Sequence, residues 1–157
     1  MPKTSNAAAQ ACAKVEIQPG CTGSWYDIGG EATIATLPKE VVQTGVAYVF
    51  NDDTGVLTSG KKTPVTVTIS TLFTNGATEA FNLVRAVWAT EGCDKVMCAR
   101  ITPEGGSIGD LEINIGDHNT NAFLTGFKPP DVDASSGDAA MAEFDLYGNY
   151  EYDVKAS

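Results

Sequence analysis

The strict alternation between Met141 and Val154 constrains this chain more than any other feature. Ala142, Phe144, Leu146, Tyr150, Tyr152 and Val154 share one parity, and Glu143, Asp145, Asn149, Glu151 and Asp153 share the other. Side chains that swap sides at every residue belong to an extended strand, because a helix of 3.6 residues per turn would scatter the same charges around its axis. The stretch therefore predicts a half-buried strand with carboxylates along one side of a sheet. A solvated outer face is the simplest use for such a side. Gly148 leaves two geometries open: Gly148-Asn149 closes a two-residue hairpin, or the glycine marks a bulge within one long strand.

The same period recurs upstream. Val65, Val67 and Ile69 alternate with Thr66, Thr68 and Ser70, and Leu111–Ile115 carries Asp110, Glu112 and Asn114 on its polar parity. Strand-favouring residues run from Ala32 to Leu37, Val46 to Phe50, Lys95 to Ile101 and Ala122 to Phe127. One segment has the other period. Ala80, Phe81, Val84, Val87 and Trp88 follow the spacing of an amphipathic helix, with Asn75 as its expected N-cap and Gly92 as its stop. Residues 51–63, NDDTGVLTSGKKT, read as a tight turn before a short strand or as a long projecting loop. The expected fold is mainly β, a two-layer β-sandwich with one flanking α-helix that covers a side or an open end.

Length fits one domain, since 157 residues suffice for a proper core. Residues 1–24 are small and polar, with Pro19, Gly20 and Gly23 interrupting any period, and predict an irregular arm before a domain over 25–157. The adjacent Trp25 and Tyr26 suit a partly buried cover strand or a contact surface for another chain. Twenty acids against ten bases give a net charge of −10, and the chain from Glu104 onward holds eleven acids against two lysines. Such a surface repels nucleic acid rather than gripping it. No window approaches the roughly 20 apolar residues of a membrane span, and the N-terminus has no basic segment followed by an apolar one. The four cysteines, Cys12, Cys21, Cys93 and Cys98, are expected as free thiols in a reducing cytoplasm.

Several short motifs lack the context that their chemistry requires. Gly55–Lys61 has the spacing of a phosphate loop, yet Lys62 and Pro64 stand where a hydroxyl and a helix should follow. Gly105, Ser107 and Gly109 match a nucleophile elbow that runs into a strand, and His118, the only histidine, comes too soon to complete a triad. Asp131, Asp133 and Ser135 begin like a calcium loop, but Ser136 and Ala142 occupy the positions that need Gly and Glu. Cys93 and Cys98, even with Cys12, Cys21 and His118, lack a tight pair for zinc. The expectation is a protein with no catalytic constellation, metal or cofactor.

The order of features resembles the tail tube proteins of long, non-contractile-tailed bacteriophages. The resemblance runs from about Trp25 through Tyr152. It rests on WYDIGG, GKKTPVTVTIS, the helix TEAFNLVRAVWATEG, the turn and strand RITPEGGSIGDLEINIG, and the closing AEFDLYGNYEYD. The arm with Cys12 and Cys21 has no counterpart in that pattern. The resemblance implies a structural virion protein whose hexameric rings stack into a hollow tube for genomic DNA. It is made in the host cytoplasm and partnered by itself, a tape measure and terminator or tip proteins. The second inner tube that looks similar is that of secretion systems or tailocins. By this analogy Asp110, Glu112, Glu143, Asp145, Glu151 and Asp153 are candidates for an electronegative lumen wall. Asn51, Asp52, Asp53, Lys61, Lys62, Trp25 and Tyr26 are candidates for contacts between subunits or rings, with Lys128 a further cation to meet acidic neighbours. A reading from another class is a monomeric carbohydrate- or receptor-binding module with Trp25, Tyr26, Tyr150 and Tyr152 as an aromatic platform.

Overall fold

In the computed structural model, which describes residues 3–116 and 121–156, two antiparallel sheets enclose one core. The alternating segments found in the sequence build its centre. Val65–Leu72 (β6) pairs with Met141–Gly148 (β10), setting Ile69 opposite Phe144 and Val67 opposite Leu146, all buried. Burying one such side chain stabilises the fold by about 1.5–3 kcal/mol, so this pair of strands is a natural heart for the sandwich. Ala32–Thr36 (β3) flanks β6 and Phe123–Lys128 (β9) flanks β10, which completes a four-stranded sheet ordered β3-β6-β10-β9.

The facing sheet has five strands in the order β11-β8-β7-β1-β2: Tyr150–Val154 (β11), Leu111–Ile115 (β8), Met97–Thr102 (β7), Lys14–Pro19 (β1) and Tyr26–Asp27 (β2). Two expectations change here. The stretch 1–24 is not irregular throughout, because β1 lies inside this sheet, paired to β7 along its whole length with Ile17 fully buried. Val15 and Ile17 alternating with Lys14, Glu16 and Gln18 carried that signal, masked by the glycines that follow. Gly148 is neither a hairpin turn nor a bulge. Gly148 pairs with Val65 in one sheet while Tyr150 pairs with Ile115 in the other, so the chain crosses between sheets at Asn149.

The cysteine expectation is corrected as well. Cys21 and Cys98 form a disulfide, with Cα atoms 5.0 Å apart, while Cys12 and Cys93 are free and exposed. The pairing of β1 with β7 puts Gln18 opposite Cys98, and the turn after Pro19 brings Cys21 back to it. Residues 77 positions apart in sequence thereby meet at the core.

Ala80–Trp88 (α1) is the one helix longer than a single turn among the described residues. It packs on β9, β1 and β6 and so closes an open side of the sandwich, with Phe81 and Trp88 against Phe127. Its start differs from expectation. Asn75 does not cap it; the Ala80 amide instead donates to the Glu31 carboxylate, 3.2 Å away, from the loop before β3. The remaining strands, Val41–Ala47 (β4) and Val56–Thr63 (β5), pair only with each other as a hairpin.

Candidate assembly interface

The stretch 51–63 is the first of its two expected forms, a turn followed by a strand, with the strand longer than expected at eight residues and paired into a hairpin. β4 and β5 run for seven and eight residues, and every one of them is exposed. A two-stranded ribbon standing alone in water is marginal, and this one displays Val41, Val42, Val46, Val56 and Leu57 along its strands and Tyr48, Val49 and Phe50 toward its turn. Leu57 is 81% exposed and Phe50 entirely so. Apolar groups of this size, gathered on one projection, make it a candidate contact surface. Gly55 is needed at the turn because a Cβ there would collide with the Val46 side chain.

Of the expected contact residues, Asn51, Asp52 and Asp53 lie in the turn of this hairpin and Lys61 and Lys62 near its base. Asp52 locks the turn: its carboxylate accepts from the amide and hydroxyl of Thr54, bonds that hold its pKa below the usual value. Lys62 is not isolated, since Glu40 lies 4.0 Å from its Nζ. Lys128 meets Asp131 at 3.0 Å within the chain. Lys61 has no ion-pair partner among the described residues. Trp25 and Tyr26 stand apart from the hairpin at the opposite edge of the five-stranded sheet from β11, half-buried, with Trp25 stacked 4.2 Å from the Arg100 guanidinium. The four aromatics proposed as a platform are therefore split between the two edges.

The acidic candidates are split too. Glu143 and Asp145 lie on the outer face of the four-stranded sheet, beside Thr66, Thr68 and Ser70. Thr68 donates its hydroxyl to Asp145 at 2.7 Å, and the Asp145 carboxylate lies over Gly126, where a Cβ would collide with it. Glu112, Glu151 and Asp153 are on the outer face of the other sheet, so the two groups point away from each other. Glu112 is also neutralised: Arg100 reaches it at 3.4 Å and grips Glu16 through Nε at 3.2 Å and Nη2 at 3.1 Å. Asp153 accepts from the Asn114 amide at 2.9 Å. Asp110 belongs to neither face, for its carboxylate accepts from the backbone amides of Gly106 and Ser107 and ties down a turn.

The remaining motifs lead to no site. Asp133 accepts from the amide and hydroxyl of Ser135, which lowers its pKa and makes the calcium-like run a local turn. His118 lies outside the described residues. Among the described residues no three metal-binding side chains cluster, and no helix is long and apolar enough to cross a membrane. Tyr150 and Tyr152, expected from sequence only as part of an aromatic platform, have another place in the fold. Their hydroxyls donate to the Pro38 carbonyl at 2.7 Å and the Glu40 carboxylate at 3.0 Å, at the root of the hairpin. Burial, with the Tyr152 and Glu40 charges adding to it, pushes the Tyr150 pKa up to about 12.

Whole-chain comparison adds the fold's context. No family model matches the sequence, and no curated protein matches it. Solved structures do. A chain of the sheath-tube complex of an extracellular contractile injection system, PVC, in its extended state superposes with a TM-score of 0.73 at 14% identity, covering 96% of this chain and 94% of that one. The fold is that of tail tube proteins. A chain from the tube-terminating cap of the anti-feeding prophage gives 0.72 at 14% identity over 99% of this chain and 96% of its own. One from the tail of an empty GTA particle, refined with C6 symmetry, gives 0.65 at 10% over 96% and 100%. At these identities the agreement is one of fold.

Proposed function

We propose that this chain is a tube subunit, forming rings that stack into the hollow tube of a tail or injection particle. The observation that carries the reading is the β4–β5 hairpin, a ribbon that buries nothing in its own chain, on a body whose whole length follows the tube fold. Stacking would cover its apolar side chains. The free edge of the four-stranded sheet at β3, and that of β9 beyond Leu124, where the bonds to Lys95 and Met97 end, are available to pair between neighbours in a ring, which would remove them as sites of uncontrolled association. The six-fold symmetry of the similar GTA tail supports a hexamer. Electron microscopy of the purified, concentrated protein tests the proposal. Rings or tubes with a central hole are the expected result, and a monomer at every concentration overturns it.

Within such a ring the four-stranded sheet is the better inner wall. Its outer face carries Glu143 and Asp145 among Thr66, Thr68 and Ser70, with Lys128 at the β9 edge already engaged by Asp131. The other sheet presents Arg100 and Lys14 beside its acids. A wall of hydroxyls and carboxylates repels a passing polyanion and gives it nothing to grip. The narrower reading, a non-contractile phage tail tube delivering genomic DNA, rests on the sequence resemblance. The contractile origin of the PVC neighbour favours the second reading, a tube within an injection particle, with sheath and terminator as partners. Co-purification of a sheath protein with the native particle decides between them.

A further inference from the structure

The β4–β5 hairpin is joined to the body by residues 37–40 and by Pro64, and its strands are exposed throughout. Two short connections form a hinge, so something else must fix its direction. Tyr150 donates to the Pro38 carbonyl at 2.7 Å, just before β4 begins. Tyr152 donates to Oε1 of Glu40 at 3.0 Å, and Oε2 of the same carboxylate faces Lys62 of β5 at 4.0 Å. The root before β4 is thereby tied directly to β11, and β5 is linked to it through Glu40. The tyrosines are next-but-one neighbours on one side of that strand, with ring centroids 6.2 Å apart. Tyr152 is 53% exposed, so its ring adds little to the core, and what it contributes is a charge-assisted hydrogen bond.

We propose that Tyr150 and Tyr152, acting through Pro38, Glu40 and Lys62, form a clasp that sets the angle at which the hairpin leaves the body. The clasp is a property of the single subunit; its use, presenting Phe50 and Leu57 in the direction that stacking requires, rests on the tube reading. Tyr150 and Tyr152 are then positioning residues rather than contacts. Removing their hydroxyls leaves the ring packing in place and frees the hinge.

Nitroxide labels at Asp53→Cys in the turn and Thr125→Cys on β9, in a chain also carrying Cys12→Ser and Cys93→Ser, report that angle on dilute, unassembled protein. The parent is expected to give a single narrow distance. Tyr150→Phe with Tyr152→Phe loses it to a broad distribution, while circular dichroism shows the fold retained. Glu40→Ala, outside the hydrophobic core cluster, gives an intermediate broadening, and Glu40→Gln, which keeps an acceptor for Tyr152, recovers most of the narrow distance. An unchanged width in both the double variant and Glu40→Ala overturns the clasp. Microscopy of the same samples separates this outcome from the tube reading. Tubes with unchanged distances sink the clasp alone; distances that broaden in the variants while the parent never assembles uphold the clasp and sink its use in stacking.

Discussion

Arg100 shows how one side chain can decide the meaning of several others. In sequence, Glu16 and Glu112 are two acids in an acidic chain; in the fold both carboxylates are largely covered and both are held by the same guanidinium. Replacing Arg100 by Met would strand two partly buried charges. A loss of about 2–3 kcal/mol in denaturant unfolding is expected, below the full cost of breaking a wholly buried pair because solvent still reaches the site. Cys21 and Cys98 make a second case. Closing a loop of 77 residues restricts the unfolded chain enough to contribute about 4 kcal/mol in the chain-entropy account. Reduction should therefore lower the melting temperature, and Cys21→Ser with Cys98→Ser should melt like the reduced parent and ignore the reductant. Tyr150 makes a third. A tyrosine hydroxyl ordinarily ionises near 10.0, and here burial holds it to about 12, so the fold favours the neutral phenol. That stabilisation is complete below pH 10 and disappears as the pH climbs through 12. Denaturant unfolding across this window should show a decline that Tyr150→Phe makes shallower, the remainder coming from Tyr152, which is raised in the same direction.

Among the elements, the hairpin and the helix read differently from sequence. The helix was legible because its apolar residues at helical spacing meet a core, and only its start was misread: Glu31, 49 residues earlier, satisfies the Ala80 amide where a local cap was expected. Residues 41–63 gave weak signals since strands buried on neither face need no apolar alternation. Val46–Phe50 reads as strand and the polar run 51–63 as turn or loop, whereas the ladder joins Val41–Ala47 to Val56–Thr63. The hairpin makes a clear test of division of labour. Phe50→Ser with Leu57→Ser removes two exposed side chains and should change monomer stability by no more than about 0.5 kcal/mol. On the tube reading the same variant fails to stack, which sedimentation at high concentration would reveal. Full stacking by that variant would assign the hairpin some other use.

For the whole molecule, the sandwich turns an excess of acid concentrated in the last third of the chain into two unlike faces, one of hydroxyls and carboxylates without ion-pair partners among the described residues and one laced by Arg100 and Lys14. On the tube reading with DNA as the cargo, tubes built from Glu143→Gln, Asp145→Asn subunits should retain DNA that parent tubes release, most visibly at low salt where the Debye length is long. Equal retention would take the lumen role away from this sheet. What the sequence determined alone was the kind of each main element and which side of it is wet, because period-two alternation records the burial of a strand directly. The Val65–Ile69 and Ala142–Leu146 patterns kept their faces, whereas in the five-stranded sheet Asn114 is buried and Leu111, Tyr152 and Val154 are exposed. Which strands became neighbours was decided only by the tertiary structure. Alternation is the same whatever a strand pairs with, so nothing local told β10 from β11, joined β1 to β7, or brought Cys21 to Cys98. Those choices minimise the exposed area of two sheets packed together, and that quantity exists only once the chain has closed on itself.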